Sequence, residues 1–89
     1  MKLQREAIMT IKRDDAKAYV EFFRRADGFF DFEACELRVD ENPSSGPYDY
    51  WLPVYQSGLY DACEHALSDA TASIPWLRRQ VAAAAENDG

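Results

Sequence analysis

"AYVEFFRRADGFFDFEACELRV", Ala18 to Val39, decides how the chain is read, because two aromatic-rich runs flank Ala26-Asp27-Gly28. One reading is helical. Asp15 would cap the helix, Tyr19, Phe22, Phe23 and Ala26 would recur at i, i+3, i+4 and i+7, and Gly28 would supply the stop. The other is a β-hairpin, "AYVEFFRR" against "FFDFEACELRV", whose three-residue loop places glycine where a left-handed conformation is required. The hairpin accounts for more of the aromatic content and is the reading adopted. It sends Arg24 and Arg25 to opposite faces, where they are available for cross-strand ion pairs with the acids of the second strand and cannot act as a joint clamp.

Within that second strand the apolar phase slips by one residue. Phe30 and Phe32 alternate with Asp31 and Glu33, whereas Leu37 and Val39 alternate with Glu36, Arg38 and Asp40. An extra residue at Ala34-Cys35, a β-bulge, would restore one apolar face (Phe30, Phe32, Leu37, Val39) and one charged face. The turn-rich "ENPSSGP", Glu41 to Pro47, predicts a mobile loop leading to a third strand, "YDYWLPVYQ". Pro53 cannot donate to a ladder, which puts that strand at a sheet edge.

After Gly58 the period becomes helical. Asp61 followed by Glu64 reads as a capping-box variant, and Cys63, Ala66, Leu67, Ala70 and Ile74 form a stripe. Pro75 restarts a second helix with Leu77, Val81 and Ala84 on one side, fraying beyond Ala85. The expected fold is α+β: a three-stranded antiparallel β-meander followed by one or two C-terminal helices packed on the sheet. Residues 1–15 form a tail or, through "AIMTI", a fourth strand; residues 16–86 form the domain; residues 87–89 form a disordered tail.

The 89 residues suffice for one domain, and the 13% aromatic content argues against disorder. No apolar run of about 18 residues could cross a bilayer, and the N-terminus lacks a signal peptide's apolar stretch; the expected location is the cytoplasm. Two cysteines outside any CxxC spacing read as reduced thiols. Charge is asymmetric: residues 1–25 carry seven Lys/Arg against four acids (+3), and residues 26–77 carry Arg38 against ten acids (−9). That acidic stretch would repel phosphates, so direct nucleic-acid binding is disfavoured.

Catalytic and metal chemistry find little to build on. His65 stands two residues from Cys63, a poor helical chelate, and four from both Asp61 and Asp69, which could make a carboxylate-His-carboxylate site but read more simply as a solvated face. Neither GxSxG nor a phosphate-loop motif occurs, and no cofactor is implied. The distribution of aromatics is more informative. If Val20 and Phe22 face a helix, Tyr19 and Phe23 face away, and either Trp51 with Tyr55 or their strand-mates do the same. A face of this kind, Tyr19, Phe23, Trp51 and Tyr55, is covered by the N-terminal segment or the helix of Trp76 and Leu77, or it binds a protein partner or a second copy.

The leading expectation is a small, soluble, non-enzymatic protein-interaction module that self-associates through this face. An alternative is an acidic inhibitor imitating nucleic acid, which requires Asp31, Glu33, Glu36 and Asp40 to share one surface. A third is a small enzyme or metal-binding domain centred on His65.

Overall fold

The computed structural model describes residues 4–42, 44 and 46–87. Four strands, β1 (Arg5–Lys12), β2 (Ala18–Arg25), β3 (Phe30–Asn42) and β4 (Gly46–Gln56), form an antiparallel meander in chain order. Helices α1 (Cys63–Ser73) and α2 (Pro75–Asn87) follow. The N-terminal segment is therefore a fourth strand pairing with β2, not a tail, and it lies beside the sheet rather than over its second face. The expected C-terminal tail begins where α2 ends at Asn87, two residues past the predicted fraying point, and its last two positions lie outside the described residues.

The β2–β3 hairpin forms as the sequence predicts. Arg25 N–H donates to Phe29 O at 2.8 Å and Gly28 N–H to Arg25 O at 3.0 Å, with Gly28 left-handed at φ 88°. Pairing from Ala18↔Glu36 to Arg24↔Phe30 is uninterrupted. The alternation buries Val20, Phe22, Phe32 and Ala34 on one face, where they meet Ala66, Ala70, Ile74 and Leu77 of the helical layer. Two fully buried alanines on α1 let the helix approach the Phe22 and Phe32 rings closely.

Two irregularities revise the predicted phase. The slip at Ala34/Cys35 exists, but the extra residue is Val54 of β4: Ala34 pairs with Tyr55 and Cys35 with Pro53. Strand β3 keeps strict alternation, so Leu37 and Val39 emerge on the face opposite Phe30 and Phe32, and the single apolar face does not form. A second bulge places Ile8 of β1 between the pairs Ala7↔Phe23 and Met9↔Phe22. It lets Arg5 and Ala7 lie on one face while Met9 and Ile11 pack on the core.

The loop after β3 is shorter than "ENPSSGP" suggests, because pairing continues to Asn42↔Gly46; positions 43 and 45 lie outside the described residues. Since β2 ends its pairing at Glu36, the rest of β3 has only β4 beside it and projects as a two-stranded arm. The Cα radius of gyration is 15.4 Å, against about 12 Å for a compact chain of this length. As predicted, β4 is an edge strand.

The predicted capping box is absent: Ala62 is the N-cap of α1, without a side-chain bond. Asp61 pairs instead with His65. The chain breaks between the helices at Ile74, held extended (φ −110°, ψ 106°) by the ring of Pro75.

Two turn positions test the backbone argument with opposite signs. Ala16 is left-handed at φ 61° in the β1–β2 turn, so Ala16→Gly should raise stability in urea unfolding by about 0.5–1 kcal/mol. Gly28 has open space around its missing Cβ, so only its backbone opposes substitution; Gly28→Ala should destabilise by about 1 kcal/mol.

Candidate functional site

Both helices pack on the face of Val20, Phe22 and Phe32, which leaves the other face of the sheet uncovered by any described element. Neither the N-terminal segment nor the helix of Trp76 and Leu77 closes over it; Leu77 belongs to the helix-side core. The uncovered face carries Tyr19, Glu21 and Phe23 of β2, Asp31, Glu33, Cys35 and Leu37 of β3, and Trp51 of β4.

Three of the four predicted interaction residues lie here. Tyr19 and Trp51 meet edge to face with ring centroids 4.9 Å apart across the intervening β3. A depression of about 420 Å³ beside them is lined by Thr10, Lys12, Ala16, Ala18, Glu21 and the two rings. Phe23 sits farther along the same strand under the Arg5 guanidinium, 3.8 Å from the ring centroid. Tyr55 does not belong to the set. The Val54 bulge turns it to the helix side, where its ring stacks on Phe32 at 5.6 Å. The prediction assumed unbroken alternation along β4, and one inserted residue reverses the face of every side chain beyond it.

Arg5 joins this face through a role that sequence reasoning missed, because β1 was not yet placed beside β2. Its guanidinium donates to Asp31 Oδ2 at 3.1 Å and to Glu33 Oε2 at 3.0 Å. Asp31 is only 9% exposed, and its other carboxylate oxygen is buried without a hydrogen-bond partner among the described residues. The arginines of the hairpin serve elsewhere: Arg24 pairs with Glu6 of β1 and Arg25 with Asp27 in the turn, not with the acids of β3.

The four acids of the predicted acidic surface do not converge. Asp31 and Glu33 share the uncovered face and hold Arg5, whereas Glu36 and Asp40 lie on the helix side by alternation. There Glu36 accepts from Arg38 at 2.9 Å and Asp40 from the Tyr48 hydroxyl at 2.8 Å.

The reactive groups are held in quiet environments. Burial pushes the Cys35 thiol up, with the charge of Glu33 acting in the same direction, so the nucleophilic thiolate is disfavoured. Tyr19 is raised to about 12 by hydrogen bonding with Cys35 and by burial. His65 Nδ1 lies 2.6 Å from Asp61 Oδ1, while Asp69 receives the Tyr60 hydroxyl, so the predicted carboxylate-His-carboxylate arrangement is divided between two pairs. Among the described residues no three His, Cys, Asp or Glu side chains gather as a metal site would require, and no helix is long and apolar enough to cross a membrane. No protein-family model, no curated protein and no solved structure matches the chain.

Removing Arg5 would leave two largely desolvated carboxylates side by side. Arg5→Ala should therefore destabilise by about 2–3 kcal/mol in urea unfolding, with Arg5→Lys recovering part of the loss. The tyrosines predict an alkaline response. Tyr60, raised to about 12 by burial and by Asp69, and Tyr19, also near 12, favour the native state while protonated. That contribution is complete below the unfolded tyrosine pKa near 10 and is lost as pH rises through about 12. The urea midpoint should fall between pH 10 and 12, less steeply in Tyr19→Phe and Tyr60→Phe.

Proposed function

We propose that the protein is a non-catalytic protein-interaction module that self-associates through the uncovered sheet face around Tyr19 and Trp51. The observation that carries this reading is the one-sided placement of the helices: Tyr19, Leu37 and Trp51 span three strands, and Trp51 remains 44% exposed. A sheet with one solvated face would ordinarily place polar side chains there, whereas contiguous aromatic surface rimmed by charge suits an interface.

Face-to-face association is favoured over edge pairing. Strand β4 contains Pro47 and Pro53, and β1 carries the Ile8 bulge, both devices that impair an edge as a pairing template. Charge placement supports a two-fold arrangement. Lys12 of β1, Glu41 of β3 and Asp49 of β4 lie on this side by alternation and make no ion pair among the described residues. A two-fold axis along the strands carries the β1 side of one copy over the β4 side of the other, bringing cation towards carboxylate.

Light scattering coupled to size exclusion at micromolar concentration tests the reading. The wild type should associate, and Trp51→Glu should weaken that association at least 100-fold while far-UV circular dichroism stays unchanged. A wild-type monomer, or a Trp51→Glu protein of unaltered mass, would overturn it.

A further inference from the structure

We infer that the free edge of β3 in the arm, Arg38 to Glu41, is a strand-addition site for an extended, basic segment of another protein. The backbone phase of β3 identifies the groups that are free. Phe30 and Phe32 use the β4 side: Phe30 N–H donates to Tyr60 O at 2.8 Å, Tyr60 N–H to Phe30 O at 2.9 Å and Ser57 N–H to Phe32 O at 3.0 Å. Leu37 N–H points the other way, to Lys17 O at 2.9 Å. With a period of two, Val39 and Glu41 therefore direct both N–H and C=O away from β4. Pairing with β2 has ended at Ala18↔Glu36 and Lys17 fills the place opposite Leu37, so beyond it β3 has a ladder partner on one side only. The result is a notch in the sheet, in which Val39 is 56% exposed.

The other edges of the sheet are protected and this one is not. On β4 the residues paired with Glu36, Arg38 and Asp40 turn their backbone groups inward, which leaves Pro47, Asp49, Trp51 and Pro53 at outward positions. The two prolines have no N–H to offer an incoming strand. Strand β1 is interrupted by the Ile8 bulge. The notch has neither device: pairing with β4 is regular from Arg38↔Tyr50 to Asn42↔Gly46, and β3 contains no proline. A second copy fits it badly. Antiparallel pairing of two notches about Val39 would place the copy's Glu41 where Lys17 stands, and pairing about Asp40 would set that carboxylate against its own counterpart. A copy's β1 and β4 edges are the protected ones, so the occupant is a different chain.

Charge and side-chain placement state what that chain carries. Around the notch Glu36, Asp40, Glu41 and Asp49 stand against Lys17 and Arg38, which leaves negative charge in excess. Arg38 is engaged by Glu36 at 2.9 Å, whereas Glu41 and Asp49 make no ion pair among the described residues. An antiparallel strand entering the notch meets Glu41, Asp40 and Val39 in that order. Cross-strand complementarity then calls for two consecutive Lys or Arg followed by a β-branched apolar residue. Backbone bonds to Val39 and Glu41 supply affinity, and these three side chains supply selectivity. Strand addition takes place in the plane of the sheet, so it does not depend on the Tyr19–Trp51 face.

The probe is a capped pentapeptide, threonine-lysine-lysine-valine-threonine, titrated into the protein and followed by nuclear magnetic resonance and amide hydrogen exchange. Binding should slow exchange of the Val39 and Glu41 amides at least about 10-fold. Glutamate in place of both lysines should abolish it, as should N-methylation of the valine and the first lysine, whose N–H groups face β3. N-methylation of the second lysine, whose N–H faces outward, should not. In the protein, Val39→Pro removes a donor at an edge position and Glu41→Lys reverses a charge; each should weaken binding at least about 10-fold with circular dichroism unchanged. Unprotected Val39 and Glu41 amides at saturating peptide, or equal binding of the doubly N-methylated peptide, would overturn the inference. Protection of both amides by raised protein concentration alone would give the notch to a second copy and overturn it too. Trp51→Glu should bind the peptide as the wild type does, whether or not the wild type self-associates; loss of binding in that variant would move the peptide to the sheet face and refute the notch.

Discussion

The register between β2 and β3 is the constraint on which the rest of the molecule depends. Seven consecutive pairs, from Ala18↔Glu36 to Arg24↔Phe30, run without a slip. Because successive side chains in a strand point to opposite faces, this pairing puts Val20, Phe22, Phe32 and Ala34 together on one side. The helices have one place to bury Ala66, Ala70, Ile74 and Leu77, and they take it. Tyr19, Phe23, Asp31 and Cys35 then emerge together on the side without a helix. Shifting the hairpin by one residue would exchange the two sets, presenting carboxylates and arginines to α1.

Bulges adjust this central pair to its neighbours. In β1, Ile8 absorbs the mismatch that lets Met9 and Ile11 join the core while Arg5 reaches across Phe23 to Asp31 and Glu33. In β4, Val54 allows Tyr55 to stack on Phe32 while Trp51 reaches Tyr19 on the other side. Each inserted residue changes which surface its strand serves. Aromatic side chains consequently occupy both sides of β4.

The charged groups follow the same geometry. The acidic excess of residues 26–77 does not assemble into one field, because alternation divides it between the two sides and Arg5 and Arg38 neutralise part of each share. The basic N-terminal strand lies beside β2 and supplies the guanidinium that makes the burial of Asp31 tolerable. Among the described residues Lys12, Arg78 and Arg79 on one hand, and Glu41 and Asp49 of the arm on the other, make no ion pair.

Local chemistry in the sequence determined the hairpin, its left-handed Gly28, the edge position of β4, the helix break at Pro75 and the opposition of Tyr19 and Phe23 to Val20 and Phe22. Each depends on residues close together in the chain or on a simple two-residue period. Tertiary structure alone decided that Val54, not Ala34 or Cys35, is the inserted residue, because a slip between strands can be absorbed by either partner and the sequence of one strand does not say which. The same applies to Tyr55, whose face depends on that choice, and to Leu37 and Val39. It decided also that Asp61 pairs with His65 instead of capping α1, and that Arg5 reaches acids 26 and 28 residues away. Above all, it decided that both helices share one side of the sheet: their apolar stripes specify that they must be buried, and the apolar face that the β2–β3 register assembles from Val20, Phe22, Phe32 and Ala34 specifies where.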